Sequence, residues 1–128
     1  MANILIVDDE PSVVLLLKFV METINHKVLE AYNGEEAVRL MGIEPADPKA
    51  PLPDLVILDV MMPIMDGHTV CLKMKDNPRT QKIPVLIVSA KGDMRQIFQS
   101  VPTVNGFFSK PFDPKKLKEA VEQALNHK

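Results

Sequence analysis

The feature that most constrains this chain is a set of short, almost uninterrupted apolar runs. They lie in Ile4–Val7, within Asp54–Asp59 and in Ile83–Val88, and they lack the alternation of a strand with one wet face. Strands of this kind are buried on both faces, as happens in parallel sheets that are covered by helices. The sequence therefore predicts an α/β fold.

Helical patterns separate these runs. A helix is predicted from Pro11 to about Asn25, because proline suits a first helical turn and apolar residues recur there at helical spacing. Its predicted core face is Val13, Leu16, Leu17, Val20 and Ile24. The later predicted elements are strand Lys27–Tyr32, a helix from the Asn33 cap to about Gly42, a helix from Asp66-Gly67 to about Asp76, a helix over Asp93–Val101, a strand around Gly106–Phe108, and a last helix capped by Asp113-Pro114.

Five strands that alternate with five helices must pair in parallel through right-handed crossovers. We therefore predict a doubly wound five-stranded sheet with helices on both faces. The segment Glu44–Pro53 contains four prolines and no apolar period, so it is expected to be a surface loop within the same domain.

Bulk composition narrows the class of protein. The 128 residues are expected to form one domain, residues 1–128, and a net charge of −2 gives no general attraction to nucleic acid. The single cysteine excludes an internal disulfide, and the three histidines lack metal-ligand spacing and are expected at the surface. The N-terminus has no signal-peptide pattern, and no apolar run approaches the length of a membrane span. We expect a cytoplasmic protein.

Polar residues follow the ends of several predicted strands. Asp8 and Asp9 follow the first strand, Asp59 ends the third, Ser89 follows the fourth and Lys110 follows the fifth. The carboxyl ends of parallel strands meet at one edge, where such folds bind ligands. Clustered carboxylates repel one another, and Mg²⁺, which takes oxygen ligands, would relieve that repulsion. With the metal and Lys110 neutralising an incoming phosphoryl group, Asp59 could act as its nucleophile.

These residues carry a resemblance to a known family. The pair Asp8-Asp9, the stretch from Asp59 through Pro63 to Asp66-Gly67, Ser89-Ala90 and Lys110-Pro111-Phe112 resemble the motifs of receiver domains of two-component response regulators. The resemblance spans essentially the whole chain. It implies the flavodoxin-like strand order 2-1-3-4-5, a phosphorelay role without turnover of a separate substrate, and help from the domain in its own phosphorylation and dephosphorylation.

The resemblance also implies roles for individual residues. Asp59 would be the phosphoacceptor; Asp9, Asp59 and the Met61 backbone carbonyl would bind Mg²⁺ directly, and Asp8 would bind it through a water. Lys110 would contact the phosphoryl group, and the Lys110-Pro111 bond would be cis.

Switching is implied as well. Ser89 and Phe107 would move together after phosphorylation and alter the face formed by the fourth helix, the fifth strand and the fifth helix.

Partners follow from the same resemblance. The donor would be a sensor histidine kinase or a histidine phosphotransfer protein, and a downstream target protein would read the signal, with no direct contact to nucleic acid or membrane. The first helix carries apolar residues beyond its core face at Val14, Leu15 and Phe19. These are either scattered surface residues, which are common, or a docking patch for the donor.

Other functions are weighed against this one. An aspartyl phosphohydrolase would need a second acid two residues after Asp59, where Met61 stands, and a flavin carrier would need a polar phosphate loop in place of Asp8-Asp9-Glu10. A degenerate receiver would have lost part of the acidic set. The chain is expected to be a stand-alone regulator, with a fragment of a longer response regulator as the alternative.

Overall fold

A computed structural model describes residues 2–90, 98 and 101–126. Five strands and four helices lie within the described residues. In chain order they are β1 (Asn3–Val7), α1 (Pro11–Glu22), β2 (Lys27–Ala31), α2 (Gly34–Leu40), β3 (Leu55–Leu58), α3 (Gly67–Lys75), β4 (Val85–Ser89), β5 (Val104–Ser109) and α4 (Pro114–Asn126). Most of the predicted helix over residues 93–101 lies outside the described residues, although Phe98 and Val101 are described and buried.

The strands form one parallel sheet in the order β2-β1-β3-β4-β5, which confirms the predicted topology. Side chains of consecutive strand residues point to opposite faces. Accordingly, Ile4 and Ile6 pack with α1 and α4, whereas Leu5 and Val7 pack with α2 and α3. Both faces are covered, which is why the central strands are apolar at every position.

Most of the predicted core face of the first helix packs in the core, namely Val13, Leu17, Val20 and Ile24, but two positions differ from the prediction. Val14 is buried, with 1% of its surface exposed, and therefore cannot belong to a docking patch. Leu16, predicted in the core, is 49% exposed, beside Leu15 at 68% and Phe19 at 66%. The helix is apolar on nearly all sides, so periodicity alone could not place the border of its buried stripe.

His26 also differs from prediction, because it is buried rather than at the surface. Its Nδ1 accepts a hydrogen bond of 3.0 Å from the backbone N–H of Ala2, so Nε2 carries the proton and faces Glu122 Oε1 at 2.8 Å. The ring therefore ties the start of β1 to α4.

The proline-rich loop is an ordered excursion. The guanidinium of Arg79 donates to the carbonyls of Met41, Asp47 and Ala50, which fastens both halves of the loop to the end of α3. Gly42 takes a φ of +73°, a conformation that glycine adopts without strain, and starts the excursion. The loop lies on the α2–α3 side of the sheet, away from residues that follow β1.

Within the described residues, no helix combines the length and apolar character needed to cross a lipid bilayer.

Candidate functional site

The sheet brings four of the predicted site residues to one edge. Asp8 follows β1 and Asp59 follows β3, and these strands are neighbours in the sheet. Their backbones are in register, since the N–H of Asp59 donates to the Val7 carbonyl at 2.9 Å. Ser89 ends β4 and Lys110 follows β5. Parallel pairing therefore brings the acids and the lysine to the same edge of the sheet.

Lys110 is the centre of the charge cluster. Its Nζ lies 2.8 Å from Asp8 Oδ2, 3.2 Å from Asp59 Oδ2 and 3.1 Å from Glu10 Oε1. Burial alone would lower the pKa of Lys110, but the bonds to Asp8 and Glu10 and the charge of Asp59 raise it overall. The lysine is therefore a permanent cation at the strand ends.

Asp8 is the most buried acid of the cluster, with 1% of its surface exposed. Burial raises its pKa, against the opposing effects of Lys110 and of the Glu10 backbone N–H, which donates to Oδ1 at 3.0 Å. Among the described residues, Oδ2 faces the Lys110 ammonium at 2.8 Å, so this oxygen keeps a second lone pair for another ligand. A buried carboxylate oxygen with spare acceptor capacity suits a hard cation or its bound water.

Asp9 and Glu10 are exposed at the rim. One carboxylate oxygen from each of Asp8, Asp9 and Glu10 lies within 4.8 Å of the others, close enough to share an ion. Asp59 is 4% exposed, and its Oδ1 accepts a 3.3 Å hydrogen bond from the Met61 N–H. The two Asp59 oxygens therefore have different partners, since Oδ1 faces the Met61 N–H and Oδ2 faces Lys110.

The loop after Asp59 is fixed by the start of α3. The side chain of Asp66 accepts a 2.8 Å hydrogen bond from the Thr69 N–H and so caps the helix, as predicted. The Gly67 N–H donates to the Val60 carbonyl at 2.9 Å, and a Cβ on Gly67 would lie 2.3 Å from the Asp59 carbonyl oxygen. Only glycine allows the helix to begin this close to the phosphoacceptor candidate.

Comparison with known families identifies the arrangement. The family model of the response regulator receiver domain matches residues 4–122. The chain belongs to this family. Receiver domains are the signalling domains of two-component response regulators, so the predicted family and fold are confirmed.

Relatives of the receiver agree with this assignment. Response regulator PleD of Caulobacter vibrioides is 39% identical over 115 residues, which are 88% of this chain and 23% of PleD. The chain thus spans about a quarter of PleD's length.

Solved structures give the same result. A crystal structure of a putative response regulator from Chloroflexus aurantiacus superimposes with a TM-score of 0.83 at 32% identity, covering 98% of each chain. The response regulator TrrA from Thermotoga maritima, solved in complex with Mg²⁺-BeF, gives a TM-score of 0.80 at 29% identity and covers 97% of this chain and 99% of that one.

The two predicted switch residues of this receiver lie on neighbouring strands. Ser89 is buried at the end of β4, and its carbonyl accepts a 3.0 Å hydrogen bond from the Lys110 N–H. Phe107 on β5 is half-buried, with its ring centroid 5.8 Å from that of Phe98. Phe98 in turn meets His68 of α3 edge-on at 5.4 Å. The Lys110-Pro111 bond is cis, as predicted.

An apolar cleft opens beside the receiver's lysine. It has a volume of about 390 Å³ and runs between α1 and the segment after β5, lined among others by Val13, Leu16 and Phe112. Glu10 and Lys110 form its polar end. The cleft therefore joins the charge cluster to the exposed apolar residues of α1.

Sequence reasoning gave Glu10 no role in the site. Its contact with Lys110 joins residues 100 positions apart, and the neighbouring Asp8-Asp9 pair already accounted for the acidic pattern. The turn into α1 supplies the contact, and no sequence signal marks it.

Proposed function

We propose that this receiver accepts a phosphoryl group on Asp59 from a phosphohistidine of a sensor kinase or phosphotransfer protein. The observation that carries the proposal is the contact of one lysine ammonium with both buried acids, 2.8 Å from Asp8 and 3.2 Å from Asp59. In the transfer, the bond from phosphorus to the histidine nitrogen breaks and a bond from phosphorus to a carboxylate oxygen of Asp59 forms. The domain later assists hydrolysis of the acyl phosphate.

The charges of the site fit this transfer. An incoming phosphoryl group brings negative charge next to Asp59, and Lys110 already lies where it can contact one phosphoryl oxygen. Placing a fixed cation where charge accumulates is a principal means of stabilising phosphoryl transfer. Asp8, which would lose part of its contact with that ammonium, then needs another cation.

Mg²⁺ is the cofactor that these residues suit. We propose that Asp9, Asp59 and the Met61 carbonyl hold it directly and that Asp8 holds it through a water; the spare acceptor capacity of the buried Asp8 oxygen supports this. When bound, the ion neutralises charge on the phosphoryl oxygens. The Mg²⁺-BeF complex of TrrA is a property of that protein, and it makes magnesium the first metal to test here.

Phosphorylation by a small donor tests the proposal. Incubation with acetyl phosphate and Mg²⁺ should add one phosphoryl group to the protein, as read by intact mass. The same incubation with a chelator should add none, because the carboxylates then repel the donor. An adduct that forms equally well without Mg²⁺ would contradict the metal assignment.

We propose further that Ser89 and Phe107 carry the signal to the face that includes β5 and α4. The Phe98 ring lies against Phe107, so rotation of Phe107 would disturb the packing that joins β5 to α3. Addition of beryllofluoride and Mg²⁺ should shift the amide resonances of Ser89 and Phe107 together. Unchanged resonances for both residues, with the complex formed, would exclude them as switches.

The donor is proposed to dock on α1 through Leu15, Leu16 and Phe19. These side chains are exposed and apolar, and Leu16 also lines the cleft beside Lys110. A helical bundle that carries its phosphohistidine could bury them and bring phosphorus to Asp59. Neighbouring exposed apolar side chains of this kind are typical of an interaction site.

Charges on this patch should slow phosphotransfer selectively. Leu15→Glu and Phe19→Glu together should reduce transfer from the cognate phosphohistidine protein at least about tenfold, because each buries a charge in an apolar interface. Phosphorylation by acetyl phosphate should be unchanged at high ionic strength, where the added exposed charges are screened. Leu40→Glu, at an exposed leucine of α2, is the matched control and should affect neither donor. Equal slowing with both donors would contradict the docking proposal.

A further inference from the structure

Glu10 differs from the other two acids that hold Lys110. Asp8 and Asp59 are buried, with 1% and 4% of their surface exposed, whereas the Glu10 side chain is 57% exposed. Its Oε1 nevertheless contacts the ammonium at 3.1 Å. The lysine is therefore held from below by two buried acids and from the solvent side by one exposed acid.

Glu10 places a negative charge on the solvent-exposed side of Lys110. Glu10 and Lys110 are the charged residues that line the cleft between α1 and the segment after β5. A small phosphodonor that contacts Lys110 carries negative charge and comes close to the exposed Glu10 carboxylate, which lies 3.1 Å from the same ammonium. It meets repulsion from Glu10 and competes with it for the same ammonium.

Within the described residues, the side chain of Glu10 does not cap the helix that begins after it. Its backbone carbonyl accepts the N–H groups of Val13 and Val14 that begin α1, but its side chain makes no capping hydrogen bond to the helix. Replacement by the isosteric Gln leaves the backbone carbonyl in place and removes only the negative charge of the side chain. The effect of the side chain on the site can thus be separated from the start of the helix.

We propose that Glu10 is a specificity-determining residue that disfavours small, freely diffusing anionic phosphodonors. It does so by holding Lys110 on the solvent side and by placing a negative charge beside it. A protein donor gains its binding energy from the apolar surface of α1 and is less dependent on attraction to Lys110. The inference rests on the proposed function of Asp59 and names the class of donor that the site resists.

The reaction to be measured is the transfer of a phosphoryl group from acetyl phosphate to Asp59. The bond between phosphorus and the acetate oxygen of acetyl phosphate breaks, a bond between phosphorus and an Asp59 oxygen forms, and acetate leaves. Glu10 forms no bond to phosphorus. Its removal should therefore act mainly on capture of the donor, which appears in KM, and less on the rate at saturating donor.

Glu10→Gln tests the inference. Adduct formation is followed by intact mass over a range of acetyl phosphate concentrations, at saturating Mg²⁺ and at low and high ionic strength. At low ionic strength, kcat/KM should rise roughly fivefold, mostly through KM, as expected for removing one nearby exposed like charge. At high ionic strength the gain should shrink, because exposed charges are screened.

Two further variants complete the experiment. Glu10→Asp keeps the charge but shortens the side chain that reaches Lys110, so its gain should be smaller than that of Glu10→Gln. Glu35→Gln removes an equal charge from the exposed Arg39 pair and should have no effect. If Glu10→Gln forms the adduct no faster than the wild-type protein, or if Glu35→Gln shows the same gain, the inference about Glu10 is overturned. The proposed function of Asp59 is unaffected by either result. Failure of the wild-type protein to accept phosphate would overturn the proposed function and the inference with it.

Discussion

Asp59→Asn should abolish the phosphoryl adduct formed with acetyl phosphate and Mg²⁺. The amide of Asn is neutral and a very poor nucleophile, whereas the Asp59 carboxylate lies next to Lys110 at 3.2 Å. We expect the adduct to fall below detection by intact mass, a loss of at least about a hundredfold. The variant should remain folded, because Lys110 keeps its contacts with Asp8 and Glu10.

The control for this variant is Asp76→Asn, at an exposed residue that ends α3. It makes the same chemical change away from the charge cluster and should accept one phosphoryl group as the wild-type protein does. Retention of a full adduct in Asp59→Asn, with the unfolding midpoint unchanged, would move the phosphoacceptor to another side chain.

Gly67→Ala should cause the largest loss of stability of the substitutions considered. Its Cβ would lie 2.3 Å from the Asp59 carbonyl oxygen and 3.0 Å from the Val60 Cα, and backbone atoms cannot give way as a side-chain end can. We expect the free energy of unfolding to fall by about 3 kcal/mol, measured by chemical denaturation. Because the clash is with Asp59 itself, phosphorylation should also slow.

Gly106→Ala provides the matched comparison. Its Cβ would meet only side-chain atoms, Leu86 Cδ2 and Phe108 Cε2, each at 3.2 Å, and both can shift by a few tenths of an ångström. The change in the free energy of unfolding should stay below about 1 kcal/mol. Similar losses for the two variants would show that the close approach of α3 to Asp59 is not rigid.

Most of the fold was accessible from the sequence because the central strands are buried on both faces. Ile4–Val7 and Leu55–Leu58 could hardly belong to any other arrangement, and once the sheet is parallel, Asp8, Asp59 and Lys110 must meet at its carboxyl edge. The prediction of the site depended on topology, so it was as secure as the strand order.

The predictions that were wrong concern features that depend on tertiary packing and on long-range contacts. Periodicity found most of the buried stripe of α1 but misplaced its border, because Val14 and Leu16 are both apolar and tertiary packing buries Val14. His26 contacts Glu122, and Glu10 contacts Lys110; each partner is about a hundred positions away in the sequence. Contacts of that range are products of the completed fold, and a single sequence does not mark them.

The most direct measurement is the location of the phosphoryl group itself. The wild-type protein is treated with acetyl phosphate and Mg²⁺, the acyl phosphate is reduced with borohydride, and the proteolytic peptides are sequenced by mass spectrometry. Reduction converts a phosphorylated aspartate to homoserine, and we predict homoserine at position 59 and aspartate at positions 8 and 9. Homoserine at position 8 or 9, with unmodified Asp59, would contradict the assignment of Asp59 as the phosphoacceptor.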